Sequence, residues 1–255
     1  MLRKLYLTSL LILLSSCAIQ GEQLGESFDD SQDTPLYLSI KRIPHTKILP
    51  NVGTQGSRGV KVYYYGYERG SKRVLLDYPI PDPGRSYKLS FDVRFCEGFD
   101  FAKGGKLHGL GPFSPITGGN KVNPNGWSAR GIWLADGGLA TYLYHQKLPH
   151  KYGTSRNAKG FKFETGRYYR LTYILSLNYP TSAANGFFKI LVNGKEVVSH
   201  ENIQFRASGH KRSLIQRFMF NTFHGGSTPS HAPRDEKGQL KVDCAYFDNF
   251  QVQDF

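Results

Sequence analysis

Period-two alternation of apolar and polar side chains, punctuated by glycine, proline and asparagine, is the strongest constraint this chain places on its own fold. Tyr87 to Phe95 alternates for nine residues, and Tyr169 to Leu177 repeats the pattern. Successive side chains on a strand point to opposite faces, so such runs bury one face and leave the other wet. Phe187 to Val192 and Glu196 to Ser199 flank Asn193-Gly194, a dipeptide that accepts positive φ at both central positions of a tight hairpin turn. Leu214 to Phe223 and Cys244 to Gln253 add two more strand-like runs. No stretch holds an i, i+3, i+4, i+7 pattern long enough for a helix. The expected fold is all-β: one domain, a sandwich of two antiparallel sheets of jelly-roll type.

The N-terminus reads differently. Residues 1–16 pair a short basic start (Arg3, Lys4) with a ten-residue apolar run from Leu5 to Leu14, too short to span a bilayer and the right length for a signal-peptide core. Leu14-Ser15-Ser16-Cys17 resembles the bacterial lipobox, which implies lipidation of Cys17 and a membrane anchor. Ala18 rather than Asp after the cysteine points to the outer membrane, so an envelope location is expected, periplasmic or surface-exposed. Residues 18–35 are polar and acidic with no basic side chain, so residues 17–35 are expected to form a flexible tether and 36–255 the folded domain. Cys96 and Cys244 then remain, in a compartment that permits pairing, either as a disulfide or as buried thiols.

Charge narrows the partner. The whole chain is +13, but residues 1–33 hold two basic and five acidic side chains, so the remaining 222 residues carry +16. Such an excess suits a polyanion, and export disfavours nucleic acid. Anionic lipid or an acidic polysaccharide remains, and the sign of the charge does not choose between them.

Candidate chemistry concentrates between Phe99 and Tyr144. Gly126 to Leu134 and Leu139 to His145 are strand-like runs separated by Ala135-Asp136-Gly137-Gly138. A three-residue loop centred on Asp136 pairs Ser128 with Tyr144 and Arg130 with Tyr142, placing all four on one sheet face. A two-residue loop would put the tyrosines on the other face. Lys106 and His108 stand two apart after Gly104-Gly105, on the same expected face. A cation, a hydroxyl and two phenols make a poor core and a good site for a sugar carboxylate.

Phe99 to Leu110, Gly126 to Arg130, Tyr142 to Tyr144, Phe220 to Pro233 and Ala245 to Phe250 together resemble polysaccharide lyase family 14, over roughly residues 60–252. Against the family pattern, His108 stands where proline is usual, and His224 and His231 where aromatics are usual. The resemblance implies a β-jelly roll that cleaves a 4-linked uronate polysaccharide, alginate or glucuronan-like, by β-elimination, with no cofactor or metal called for. It implies a catalytic set of Lys106, Tyr142, Tyr144 and Ser128, with Arg130 binding the substrate carboxylate; His108, a departure from the pattern, is by its residue type a candidate neutral base or substrate contact, or an incidental surface histidine.

The residue types fit that reaction. Removing the proton α to the uronate carboxylate builds a dianion, which a bidentate Arg130 and a nearby Lys106 can neutralise. A tyrosine can then act as base or acid. Ionising a phenol of pKa about 10 at neutral pH costs roughly 4 kcal/mol, a penalty adjacent cations are expected to reduce. A binding lipoprotein that holds acidic polysaccharide without cleaving it, and an envelope structural protein, are the other readings. The combination of Lys106, Ser128, Arg130 and both tyrosines favours the enzyme, because a binder needs cations and aromatics but not this set.

Overall fold

The computed structural model describes residues 22–30 and 33–255. The signal segment 1–16 and Cys17 lie outside the described residues. The chain runs β1 (Glu22–Glu26), α1 (Pro35–Lys41), β2 (Thr46–Leu49), β3 (Gly59–Tyr67), β4 (Gly70–Ser71), β5 (Val74–Gly84), β6 (Ser86–Phe95) and β7 (Gly104–Gly111). It continues through β8 (Ser128–Leu134), β9 (Gly138–Tyr144), β10 (Thr154–Lys162), β11 (Tyr169–Ser176), β12 (Gly186–Val192), β13 (Lys195–Ile203), β14 (Ile215–His224) and β15 (Val242–Asp254).

Two antiparallel sheets face each other across one core, as the alternation requires. One has the order β13-β12-β11-β6-β15-β3-β2, with β1 added to β15 and β4 to β3; the other has the order β10-β9-β8-β7-β14-β5. Leu89, Phe91, Val93 and Phe95 of β6 pack inward with Leu171, Tyr173 and Leu175 of β11, while Leu107, Trp133, Phe218 and Phe220 meet them from the second sheet. The β12–β13 turn has positive φ at both Asn193 and Gly194, as that dipeptide predicts.

The flexible tether expected through residue 35 is corrected by β1, which pairs with β15 from Glu22↔Gln253 through Leu24↔Val252 to Glu26↔Phe250. Phe28 is buried against Tyr37 and Phe250, and the Glu26 carboxylate accepts hydrogen bonds from the Phe28 N–H and the Thr34 hydroxyl. An acidic composition reads as solvated chain, but an open stretch of β15 offers backbone partners that composition does not reveal. The short helix α1 is likewise absent from the sequence expectation. Thr34 caps it by accepting from the Tyr37 N–H at 3.0 Å, Pro35 opens it, and its seven residues bury only Leu36, Tyr37 and Ile40, too few for a periodic signal. β5 carries Pro79, Pro81 and Pro83, which the sheet tolerates because β5 is an edge strand.

Cys96 and Cys244 form a disulfide, which settles the alternative the sequence left open. It ties the end of β6 to β15 across a sequence separation of 148. Closing so long a loop restricts the unfolded chain, so replacing both cysteines by serine is expected to lower stability by roughly 2–5 kcal/mol. Urea unfolding midpoints of the two proteins, and of the parent with and without reductant, measure this directly; an unchanged midpoint would show that the bridge adds nothing to the fold.

Candidate active site

The outer face of the six-stranded sheet carries the site. The turn between β8 and β9 has three residues, with positive φ at Asp136 and Gly137, and this fixes the hairpin register. Ser128 pairs with Tyr144 and Arg130 with Tyr142, the arrangement expected from the three-residue loop. Next to β8, Lys106 on β7 pairs with Ile132 and so shares the face of Arg130. Gly109, opposite Arg130, is needed for a close approach: a Cβ there would meet the Arg130 side chain and the Ala129 carbonyl.

These side chains floor a cleft of about 610 Å³, whose walls include Arg73 and Asp77 from the β5 side, Asn221 from β14, Tyr152 and His231. The Lys106 Nζ lies 4.0 Å from the centre of the Tyr142 ring, and the Arg130 guanidinium carbon 5.7 Å from it. Tyr142 and Tyr144 meet edge to face with ring centres 5.8 Å apart. The Tyr144 hydroxyl accepts the Gly119 N–H at 2.8 Å, which holds the loop over the cleft. Arg130 is 3% exposed and its Nε has no hydrogen-bond partner. Among the described residues, neither Arg130 nor Lys106 has a carboxylate within ion-pair distance. Two largely buried cations without a counter-ion are costly for the fold, and an anionic ligand would relieve that cost.

Burial sets the protonation states. It draws the Lys106 ammonium down to about 7, helped by the neighbouring Arg130 charge. Burial also raises the Tyr142 phenol above its ordinary value, and this outweighs the pull of Arg130. The expectation that cations would ease ionisation of this tyrosine is therefore corrected. Desolvation dominates, so the lysine, rather than the phenol, loses its proton most readily near neutrality.

Two of the expected site residues lie elsewhere. The Ser128 hydroxyl is fully buried and donates to the Ile116 carbonyl at 2.7 Å, so it pins the loop that carries Pro115, Thr117 and Gly118 and does not line the cleft. His108 is in the core. Between the pairs Lys106↔Ile132 and Gly109↔Arg130, β7 has two residues where β8 has one, and this bulge turns both Leu107 and His108 inward. The His108 ring stacks on Phe220 at 4.4 Å and meets Phe247 at 4.6 Å, and neither ring nitrogen has a partner. Of the other two histidines singled out in the sequence, His224 is buried and His231 lines the cleft. Arg73, Asp77, Asn221 and Tyr152 are cleft residues that sequence reasoning missed. Asp77 and Asn221 hydrogen-bond at 3.2 Å but are 144 positions apart, a proximity with no local signal.

Burial depresses the His108 imidazole to about 3. Since the unfolded imidazole titrates near 6.5, the unfolded chain binds the extra proton between these values, and stability falls as pH drops through that window. Replacing His108→Leu is expected to stabilise the fold by about 1–2 kcal/mol at pH 7 and by more at pH 5, with turnover within a few-fold of the parent. Denaturation at both pH values checks the first part. A large loss of turnover in a folded variant would return His108 to the substrate path.

The sequence model of polysaccharide lyase 14 matches residues 81–250, from β5 through most of β15. The chain belongs to that family. It is a polysaccharide lyase whose motif residues Lys106, Arg130, Tyr142 and Tyr144 converge in one cleft. Solved structures of similar fold include the alginate lyase Aly36B, with a TM-score of 0.73 over 91% of this lyase and 96% of that chain at 19% identity. The alginate lyase vAL-1 from Chlorella virus gives 0.63 over 82% and 89% at 25% identity. The endo-β-1,4-glucuronan lyase from Trichoderma reesei gives 0.61 over 92% and 96% at 14% identity. No curated protein sequence matches the chain.

Proposed function

We propose that this polysaccharide lyase 14 member cleaves a 4-linked uronate polysaccharide by β-elimination, with alginate and glucuronan as the substrate candidates. The observation that carries this reading is a desolvated Lys106 next to Arg130, neither with a carboxylate partner among the described residues, beside two tyrosines on the cleft floor. The alginate and glucuronan lyases of similar fold support the same substrate class.

In this reading Arg130 binds the uronate carboxylate and neutralises the charge that builds on it. The neutral Lys106 amine takes the C5 proton, and the C–H electron pair moves toward the carboxylate. It returns to form the C4–C5 double bond as the C4–O bond breaks, and the Tyr142 hydroxyl protonates the departing oxygen. Lys106 is left as ammonium and Tyr142 as phenolate. Their proximity lets the proton pass back and restores both groups for the next turnover. Tyr144 packs against Tyr142 and positions it.

Purified protein is expected to release ultraviolet-absorbing unsaturated uronates from at least one of polymannuronate, polyguluronate and glucuronan; no product from any of the three would overturn the proposal. The pH profile gives a sharper check. Lys106 must be neutral, so kcat/KM is expected to rise about tenfold per pH unit up to about 7 and then level off. The raised phenol keeps its proton well beyond that point, so no alkaline limb is expected below about pH 10.

The Leu14 to Cys17 pattern supports lipidation at Cys17 and a bacterial envelope location as part of the same proposal. Cys17 stands five positions before β1, so the fold would sit close to the membrane that holds it.

A further inference from the structure

On the outer face of the larger sheet, opposite the cleft, register aligns one row of side chains across adjacent strands. Lys47 of β2 pairs with Lys61 of β3, Lys61 with Tyr246 of β15, and Tyr246 with Arg94 of β6. Tyr168, just before β11, continues the row. Lys61 Nζ lies 5.3 Å and the Arg94 guanidinium carbon 4.4 Å from the centre of the Tyr246 ring, and Arg94 lies 4.8 Å from that of Tyr168. Lys47 and Lys61 share the Tyr63 ring at 5.9 and 4.9 Å.

We propose that this row is a second binding site for anionic uronate polysaccharide, separate from the catalytic cleft. It rests on the uronate reading of the cleft only for the identity of the polymer. Three features support it. Among the described residues, Lys47, Lys61 and Arg94 have no carboxylate within ion-pair distance, although all three are at least partly accessible. The rings between them hold the cations in place, so less side-chain freedom is lost when a ligand binds. Tyr168 is itself fixed, because its hydroxyl donates to the Val52 carbonyl. The disulfide ties β6 to β15 in the neighbouring row, where Cys244 pairs with Tyr63, and so stiffens the two strands that carry Arg94 and Tyr246.

The shape of the row favours a linear polymer over a membrane surface. Lys61 and Arg94 are two strands apart, about 9–10 Å, along a line perpendicular to the strands. The next row on one side holds two acids, Asp248 and Asp92, which pair with each other in register. Asp248 accepts from Thr54 and Ser57, and Asp92 from Arg170 and Asn249, so neither neutralises the row. The cations form a single line rather than a broad patch, so one chain can follow them, whereas a flat anionic surface would meet them only along that line. The Arg94 guanidinium, flanked by two rings, can present its N–H edge to a carboxylate. Holding polymer here raises its effective concentration at the cleft.

The test uses the full chain carrying Lys106→Met, which removes turnover, with sodium alginate as probe. Adding Lys61→Ser and Arg94→Gln is expected to weaken polymer binding at low salt by about tenfold or more and to flatten its salt dependence. A control pair that removes the same charge on other surfaces, Lys195→Ser and Lys211→Ser, is expected to change binding less than about threefold. In the active parent, the Lys61 and Arg94 changes are expected to raise KM for polymer while leaving turnover of a tetrasaccharide unchanged. Lys61→Ser alone provides the same comparison if the double variant folds poorly. Equal polymer binding by the row variant and the control overturns this proposal, as does loss of binding to phosphatidylglycerol vesicles with alginate binding unchanged. Retained cleavage with unaltered polymer binding refutes only the second site. If the parent neither binds nor cleaves alginate, polyguluronate or glucuronan, the uronate reading fails and takes this site with it.

Discussion

Replacing Lys106→Met is expected to lower turnover by about 10³-fold while making the fold more stable at neutral and acidic pH. The two effects have one cause. Lys106 is partly buried beside Arg130, and its ammonium is drawn down to about 7 from an ordinary value of 10.5. Below pH 7 both folded and unfolded chains carry the charge, and the folded state bears the full cost of burying it. As pH rises from 7 toward 10.5 only the unfolded chain still holds the proton, so the cost fades. Methionine fills similar space without charge and should therefore gain about 2–4 kcal/mol at pH 6, shrinking toward zero near pH 10.5. Denaturant titrations at the two pH values, with initial rates on the best polymer, give both quantities. Stability that does not respond to the substitution at pH 6 would mean that Lys106 is solvated, and the assignment of a neutral amine as base would fail.

Tyr142→Phe should reduce turnover on polymer by about 10²–10⁴-fold, because the departing sugar oxygen would leave as an alkoxide. The ring is retained, so Lys106 keeps its aromatic neighbour and binding should change little. The distinguishing measurement varies the leaving group. A uronate with a nitrophenyl group on O4 leaves without a proton, so on that substrate the variant should approach the parent. An equal loss on both substrates would make Tyr142 the base or a purely structural residue. Tyr144→Phe should be milder, since the Tyr144 hydroxyl accepts the Gly119 N–H and its main task is to hold the loop.

Much of the site was readable because it is local. The β8–β9 hairpin depends on a short turn with positive φ at Asp136 and Gly137, and that turn fixes every pair along it, including Arg130 with Tyr142. His108 departs from its expected face for a non-local reason. The bulge in β7 arises where that strand must pair with both β8 and β14, whose registers shift over the same stretch. Period-two counting from Lys106 carries no information about that extra residue. The strand Glu22–Glu26 escapes a sequence reading in the same way, because its partner β15 lies at the far end of the chain.

Local pattern sufficed for the all-β class, the main strands and the shared face of Arg130, Tyr142 and Tyr144, since side-chain alternation and turn chemistry act between near neighbours. The folded chain was needed to bring Lys106 beside Arg130 away from water, to bury His108 in the core, to tie Ser128 to the Ile116 carbonyl, and to line up three cations on the opposite face. Desolvation and cross-strand register depend on atoms brought together from distant parts of the chain, and no short stretch of residues encodes their sum.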